Sequence, residues 1–310
     1  MKLISKFLIS GVLLLASPLM LFSQENSREY YKDTYDRLCE KVGAAGIGVE
    51  TILDRWMADY PDDVEPVLGR FLYYYTKSQT KQVVVKHQQR YLGNEPVLSL
   101  ADSLGNVSYY FEDLSFDDTV FGESVGWIDK AIRMQPDRID LRFFKVAAFT
   151  GYEKEEPQLS VSEINSIIDY HVSVSPSWTH PSYEVSNDFF FSAIQEYCYL
   201  FFRYANQAGY EAFRRISEKM VSYYPENTIF LDNLGSYYFV AKKDNKTALK
   251  YYNKVLKIDP SDMTAIRSCI LMFRRSGDFK KERKYLEMLI RYSDSETERQ
   301  GAQVRIDAFN

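Results

Sequence analysis

Apolar positions three and four residues apart run through most of the chain, most clearly in residues 229 to 258. Ile229, Phe230, Leu231, Leu234, Tyr237, Tyr238 and Val240 make one stripe, and Ala248, Leu249, Tyr252, Val255, Leu256 and Ile258 make a second. This spacing predicts two amphipathic helices. The charged stretch KKDNK between them reads as a turn, where Asp244 or Asn245 can accept a hydrogen bond from the free N–H groups opening the second helix. Asp259-Pro260 closes the pair, because the residue before a proline is pushed out of the α region. Such a pair cannot bury its apolar faces alone and requires neighbours of the same kind. Downstream, Ile266, Cys269, Ile270 and Phe273 form a stripe, RRSGDF supplies a turn at Gly277, and Leu286, Leu289 and Ile290 follow. Upstream, Phe191, Ile194, Tyr197, Leu200, Phe201 and Tyr204 precede a turn at Gly209, and Phe213, Ile216 and Met220 precede Pro225.

Pro225 and Pro260 stand 35 residues apart, one more than the ~34-residue tetratricopeptide unit. Leu231, Leu234, Gly235 and Tyr238, followed by Ala248, Tyr252 and Pro260, occupy the positions of that motif, with the extra residue in the KKDNK turn. The region resembles the tetratricopeptide repeat family. Units near 194–227 and 263–296 resemble it more loosely: the first lacks Gly beside Leu200, and the second has Glu282 at the usual small position and Asp294 at the usual Pro. The resemblance implies an all-α, right-handed helical-repeat solenoid of tetratricopeptide-like hairpins over 194–310.

The N-terminal half is less regular. GVETILDRWMADYPDD and VGWIDKAIRMQPDR each carry a helical stripe that ends at a proline, Pro61 or Pro136, and LRFFKVAAF adds another stripe, so helical repeats are expected from about residue 30. Within this region VLSLADSLGNVSYYF, residues 97–111, reads apolar, turn, apolar, which predicts a small β-hairpin insertion around Leu104-Gly105-Asn106. The hairpin either covers an exposed helix end or serves as a partner-binding lobe or a strand-accepting edge. The acidic EDLSFDDT after it reads as a solvated loop, lacking the Gly and closing Glu of a calcium loop. The charged segment 152–163 reads as a link, and 173–187, with Trp178 and two prolines, as a crossover. The expected division is a leader at 1–23, an irregular helical region at 24–155 with the hairpin, a linker with one helix at 156–193, and the repeats at 194–310.

The leader has Lys2 and Lys6 ahead of an apolar run from Phe7 to Phe22, followed by polar Ser23 and Gln24. That order predicts a cleaved secretory signal peptide, with an uncleaved anchor as the alternative, and therefore an exported, periplasmic or secreted protein with no stable membrane insertion after cleavage. Cys39, Cys198 and Cys269 are too scattered for a disulfide framework or a zinc site and read as buried thiols. Net charge is −5, but residues 1–209 carry 19 Lys+Arg against 29 Asp+Glu while 210–310 carry 19 against 14. That mild basic excess is too dilute for a nucleic-acid footprint. His87, His171 and His180 form no ligand pair, GAAGIGVE lacks the strand a dinucleotide turn needs, and no nucleophile motif is present, so neither catalysis nor a cofactor nor a metal is expected.

Carrying the family's inner-face spacing onto this chain gives Gln195, Phe202, Asn233, Ser236, Arg267 and Arg274 as candidate partner-binding residues. Asn233 with the two arginines would offer donors to an acidic partner, since Arg pairs with carboxylates bidentately. The expected function is a non-catalytic interaction scaffold for an unidentified protein or peptide. The alternative is an extracytoplasmic module that captures a small ligand or glycan on exposed aromatic faces, which would need one deep pocket with convergent polar groups.

Overall fold

Helical periodicity becomes helix over most of residues 27–309, the part described by the computed structural model; the expected leader at 1–23 lies outside the described residues. Thirteen helices and three strands follow in the order α1 (Arg28–Val42), α2 (Val49–Asp59), α3 (Val64–Lys77), β1 (Gln79–Lys86), β2 (Leu98–Ala101), β3 (Val107–Phe116), α4 (Asp118–Met134), α5 (Ile139–Glu153), α6 (Gln158–Val174), α7 (Asn187–Arg203), α8 (Gln207–Tyr223), α9 (Thr228–Val240), α10 (Asn245–Ile258), α11 (Met263–Ser276), α12 (Phe279–Tyr292) and α13 (Glu296–Asp307). No described helix is long and apolar enough to cross a membrane.

Local chemistry sets the helix ends. Asp244 caps α10 by accepting from Lys246 and Thr247 N–H, Asp262 caps α11 from Ala265, and Asp278 caps α12 from Lys281. Each such cap is worth about 1 kcal/mol. Gly277, at φ 71°, ends α11 in the left-handed conformation that a residue without Cβ adopts cheaply.

Consecutive helices pack on one another from α1 to α6 and from α7 to α13, and α6 also packs on α8. The core is a succession of clusters. Trp56 with Tyr31, Leu53 and Tyr73 fills the first; Phe71, Phe121, Ile128 and Leu141 fill the second. Ile164, Phe190, Ile194, Phe201 and Ile216 fill the third, and Tyr252, Ile266, Cys269 and Leu286 the fourth. Burying each large apolar side chain contributes about 1.5–3 kcal/mol. Cys198 and Cys269 are buried as expected, whereas Cys39 is half-buried. Inter-helix ion pairs tie the N-terminal layers: Arg70 to Glu50 and Asp54, Arg138, held locally by Asp140, to Glu65, and Lys145 to Asp129 and Glu163.

The insertion is larger than the sequence suggests. The expected hairpin exists as β2 and β3, but β1 joins β3 on its other side, giving an antiparallel sheet of order β1-β3-β2. The stretch expected as an acidic loop is instead the end of β3 followed by Asp117, which caps α4 through Val120 N–H. Asp113 tolerates the strand because Lys154 reaches it at 2.6 Å. The charged segment 152–163 is likewise mostly helical, with only residues 154–157 between α5 and α6. The crossover at 175–186 is observed, and α7 starts at Asn187.

Candidate partner-binding surface

The six residues carried over from the repeat spacing fall into three settings. Gln195 on α7 and Asn233 on α9 face each other and exchange two hydrogen bonds, Gln195 Nε2 to Asn233 Oδ1 at 3.1 Å and Asn233 Nδ2 to Gln195 Oε1 at 2.6 Å. Asn233 is only 6% exposed. The expectation that it offers donors at the surface is therefore corrected: the amide pair is spent joining two helices. Phe202 is also not an exposed contact, since its ring packs on Tyr210 and Phe213 at 5.4 and 4.9 Å. Ser236 Oγ lies 3.2 Å from the Tyr252 hydroxyl in a half-buried position.

The two arginines remain accessible, with 53% of the Arg267 and 48% of the Arg274 side chain exposed. They line an open cleft of about 380 Å³ between α11 and α13, together with Ile270, Leu271, Leu286, Leu289, Glu298, Gly301 and Ala302. Leu271 is 41% exposed in this apolar trough. Arg267 binds Glu298 of α13 through two bonds of 3.0 and 2.9 Å. Arg274 instead donates to Glu282 Oε1 at 2.9 Å, and Arg305 of α13 makes two further bonds to the same carboxylate at 3.0 and 3.1 Å.

Glu282 is thus a tie among three helices, fully buried at the first turn of α12. Burial pushes its carboxyl up, but the hydrogen bonds and charges of Arg305 and Arg274 outweigh that and hold its pKa below the ordinary glutamate value. The residue that departs from the repeat motif is the one that fixes the cleft. Sequence reasoning missed α13 and its Glu298, Gly301 and Ala302. The signal was Ser295-x-x-Glu298, a capping pattern in which Ser295 Oγ accepts from Glu298 N–H at 3.3 Å.

A second buried carboxyl lies deeper. Asp232 on α9 is 5% exposed, and its Oδ1 has no hydrogen-bond partner. Its pKa is pushed up to about 9, first by burial and then by the charge of Asp262. A proton on Asp232 is accordingly donated to Asp262, whose Oδ1 also accepts from Ala265 N–H at 2.9 Å. The pair couples α9 to the start of α11.

His171 at the end of α6 and His180 in the crossover have aromatic and backbone partners. His171 Nδ1 accepts from the Trp178 indole at 2.8 Å while its ring stacks on Phe190 at 3.8 Å. His180 Nδ1 accepts from Ser182 N–H at 3.0 Å. Among the described residues no group of three or more His, Cys, Asp or Glu is placed to hold a metal ion.

Fold and surface together define a mostly helical protein that carries a small three-stranded sheet and an arginine-flanked cleft at one end. No protein-family model matches the chain, and no curated protein matches its sequence.

Proposed function

We propose that the chain is a non-catalytic interaction scaffold that acts after export and binds a protein or peptide along the first helices of a right-handed, tetratricopeptide-like stack. The observation that carries this reading is the α11–α13 cleft, where two accessible arginines flank the exposed Leu271. The stacking pattern supports it: α7 touches α9, and α9 touches α11, beyond their contacts to chain neighbours. That is what stacked helix pairs with a shared inner surface require.

The two arginines have different roles on this reading. Arg267 holds an exposed bridge to Glu298, and such pairs contribute little net stability, so a carboxylate of the partner exchanges with Glu298 at small cost. Arg274 stays on buried Glu282 and shapes the cleft. Leu271 supplies the apolar contact that excludes water from the exchanged pair. The testing variant is therefore Arg267→Glu combined with Leu271→Glu, which leaves Glu282 and both its arginines intact. Loss of complex formation with unchanged circular dichroism and urea midpoint is expected; undiminished binding removes the cleft from the proposal.

A further inference from the structure

The sheet is fixed to the helical body mainly by the face that carries Phe111 and Asp113, and at the end of β3 by Phe116, whose ring packs on Phe121 and Tyr152. Phe111 is buried against Tyr91 at 5.6 Å, Lys86 reaches Glu155 at 2.7 Å, and Lys154 reaches Asp113 at 2.6 Å. Directly paired residues in an antiparallel sheet point to the same side. By the observed register, the opposite face therefore collects Val83 and Val85 from β1, Tyr110, Glu112 and Leu114 from β3, and Leu98 and Leu100 from β2. Val83 is 60%, Val85 52%, and Leu98 and Leu100 each 49% exposed. Four aliphatic side chains thus share the open part of this face, away from the end where Phe116 packs into the core, and exposed apolar patches of this kind mark interaction sites.

The outer edge of β1 is open as well. Asp117 N–H donates to Ser78 O at 2.8 Å, which fixes the alternation of the ladder. Thr80, Gln82, Val84 and Lys86 turn their backbone groups to β3, so Lys81, Val83 and Val85 turn theirs outward. The same three residues place their side chains on the open face. A depression of about 490 Å³ lies along the adjoining β1–β3 pair, lined by Lys81, Gln82 and Val83 of β1 and Glu112, Asp113 and Leu114 of β3.

We infer that the β1 edge accepts an extended segment of a partner protein as a fourth strand, one that alternates apolar and polar residues and carries carboxylates near its ends. Main-chain hydrogen bonds to Lys81, Val83 and Val85 supply affinity, and alternate side chains on the Val83–Leu100 face supply selectivity. Charge selects the occupant. From Gln79 to Lys86 the strand has two lysines and no acid, with Lys77 just before it. Lys86 is held by Glu155, whereas Lys81 is exposed and forms no ion pair among the described residues, so it is the cation of β1 left for a carboxylate of the incoming strand. A second copy pairing antiparallel through β1 brings only lysines to this edge, and a single short strand buries less than the ~1,200 Å² of a stable dimer.

The test uses the full exported chain and a labelled, capped heptapeptide of alternating valine and threonine with glutamate at both ends. Saturable binding is expected, weakened about tenfold or more when the peptide amides that face β1 are N-methylated. Val83→Pro removes an outward donor while sparing the ladder to β3, and should weaken binding similarly. Lys81→Glu should shift preference to a lysine-ended peptide. The N-methylated control keeps the protein unaltered, so the test survives if Val83→Pro fails to fold. Absence of saturable binding, or binding indifferent to N-methylation, overturns the inference. So does a concentration-dependent dimer that Val83→Pro dissolves, which would assign the edge to a second copy.

Discussion

Replacing Asp232 by asparagine isolates the energetic role of the buried carboxyl pair between α9 and α11. Burial and the neighbouring Asp262 push the Asp232 pKa up to about 9, so the folded protein keeps this proton at neutral pH while the unfolded chain has lost it. Folding then takes up one proton, and stability falls as pH rises. The pair is fully stable below the unfolded carboxyl value of 3.8 and is progressively weakened as pH climbs toward about 9. One proton corresponds to about 1.4 kcal/mol per pH unit, so the contribution drops by about 3 kcal/mol between about pH 6 and pH 8. Tyr252 and Cys269, which share this surrounding, are pushed by burial to about 12 and stay neutral throughout. Asparagine has the same shape, carries a permanent donor for Asp262 and holds no titrating proton. Urea unfolding followed by circular dichroism should therefore show the stability of Asp232→Asn rising relative to wild type by about 3 kcal/mol over that interval. Parallel pH profiles for the two proteins would refute the buried, proton-sharing pair.

Three further outcomes follow from the same structure. Gly235→Ala places a Cβ 2.5 Å from the ring of Tyr252, which is fully buried; it should cost about 1–3 kcal/mol, read as a lower urea midpoint. His171 accepts from the donor-only Trp178 indole, and burial holds its pKa below the ordinary histidine value. Its contribution is present above that value and lost as pH falls through the histidine range, so wild type should lose stability on acidification relative to His171→Gln, which cannot be protonated. Glu282→Gln should weaken the hold on Arg274 and Arg305, so that hydrogen exchange in α13 accelerates while α3 is unchanged.

What the sequence made legible was local. The Asp244 cap, the stop at Asp259-Pro260 and the left-handed Gly277 depend on neighbours within a few residues, and they stand where the spacing put them. The hairpin turn was readable for the same reason, with Asp102 accepting from Leu104 and Asn106 N–H. β1 was not readable, because QVVVKHQQR shows neither clean alternation nor a turn signal beside it. The extension of β3 through Asp113 depends on Lys154, distant in sequence. At the surface, the spacing carried over from the resembled family named six candidate residues but not which of them are consumed by pairing. Gln195 and Asn233 are 38 positions apart and find each other only through packing of α7 and α9. Glu282 looked like a departure from the repeat because its second arginine, Arg305, lies on a helix outside the recognised units.

On the proposed function, a protein partner occupies the α11–α13 cleft. A photo-crosslinking side chain at Leu271, in the full-length chain within the cell that makes it, tests this most directly, with the exposed second-helix position Lys250 as control. One protein should be crosslinked repeatedly at position 271, absent at position 250 and lost when Arg267→Glu is added. Equal labelling at both positions, or crosslinks at 271 that persist with Arg267→Glu, would contradict it.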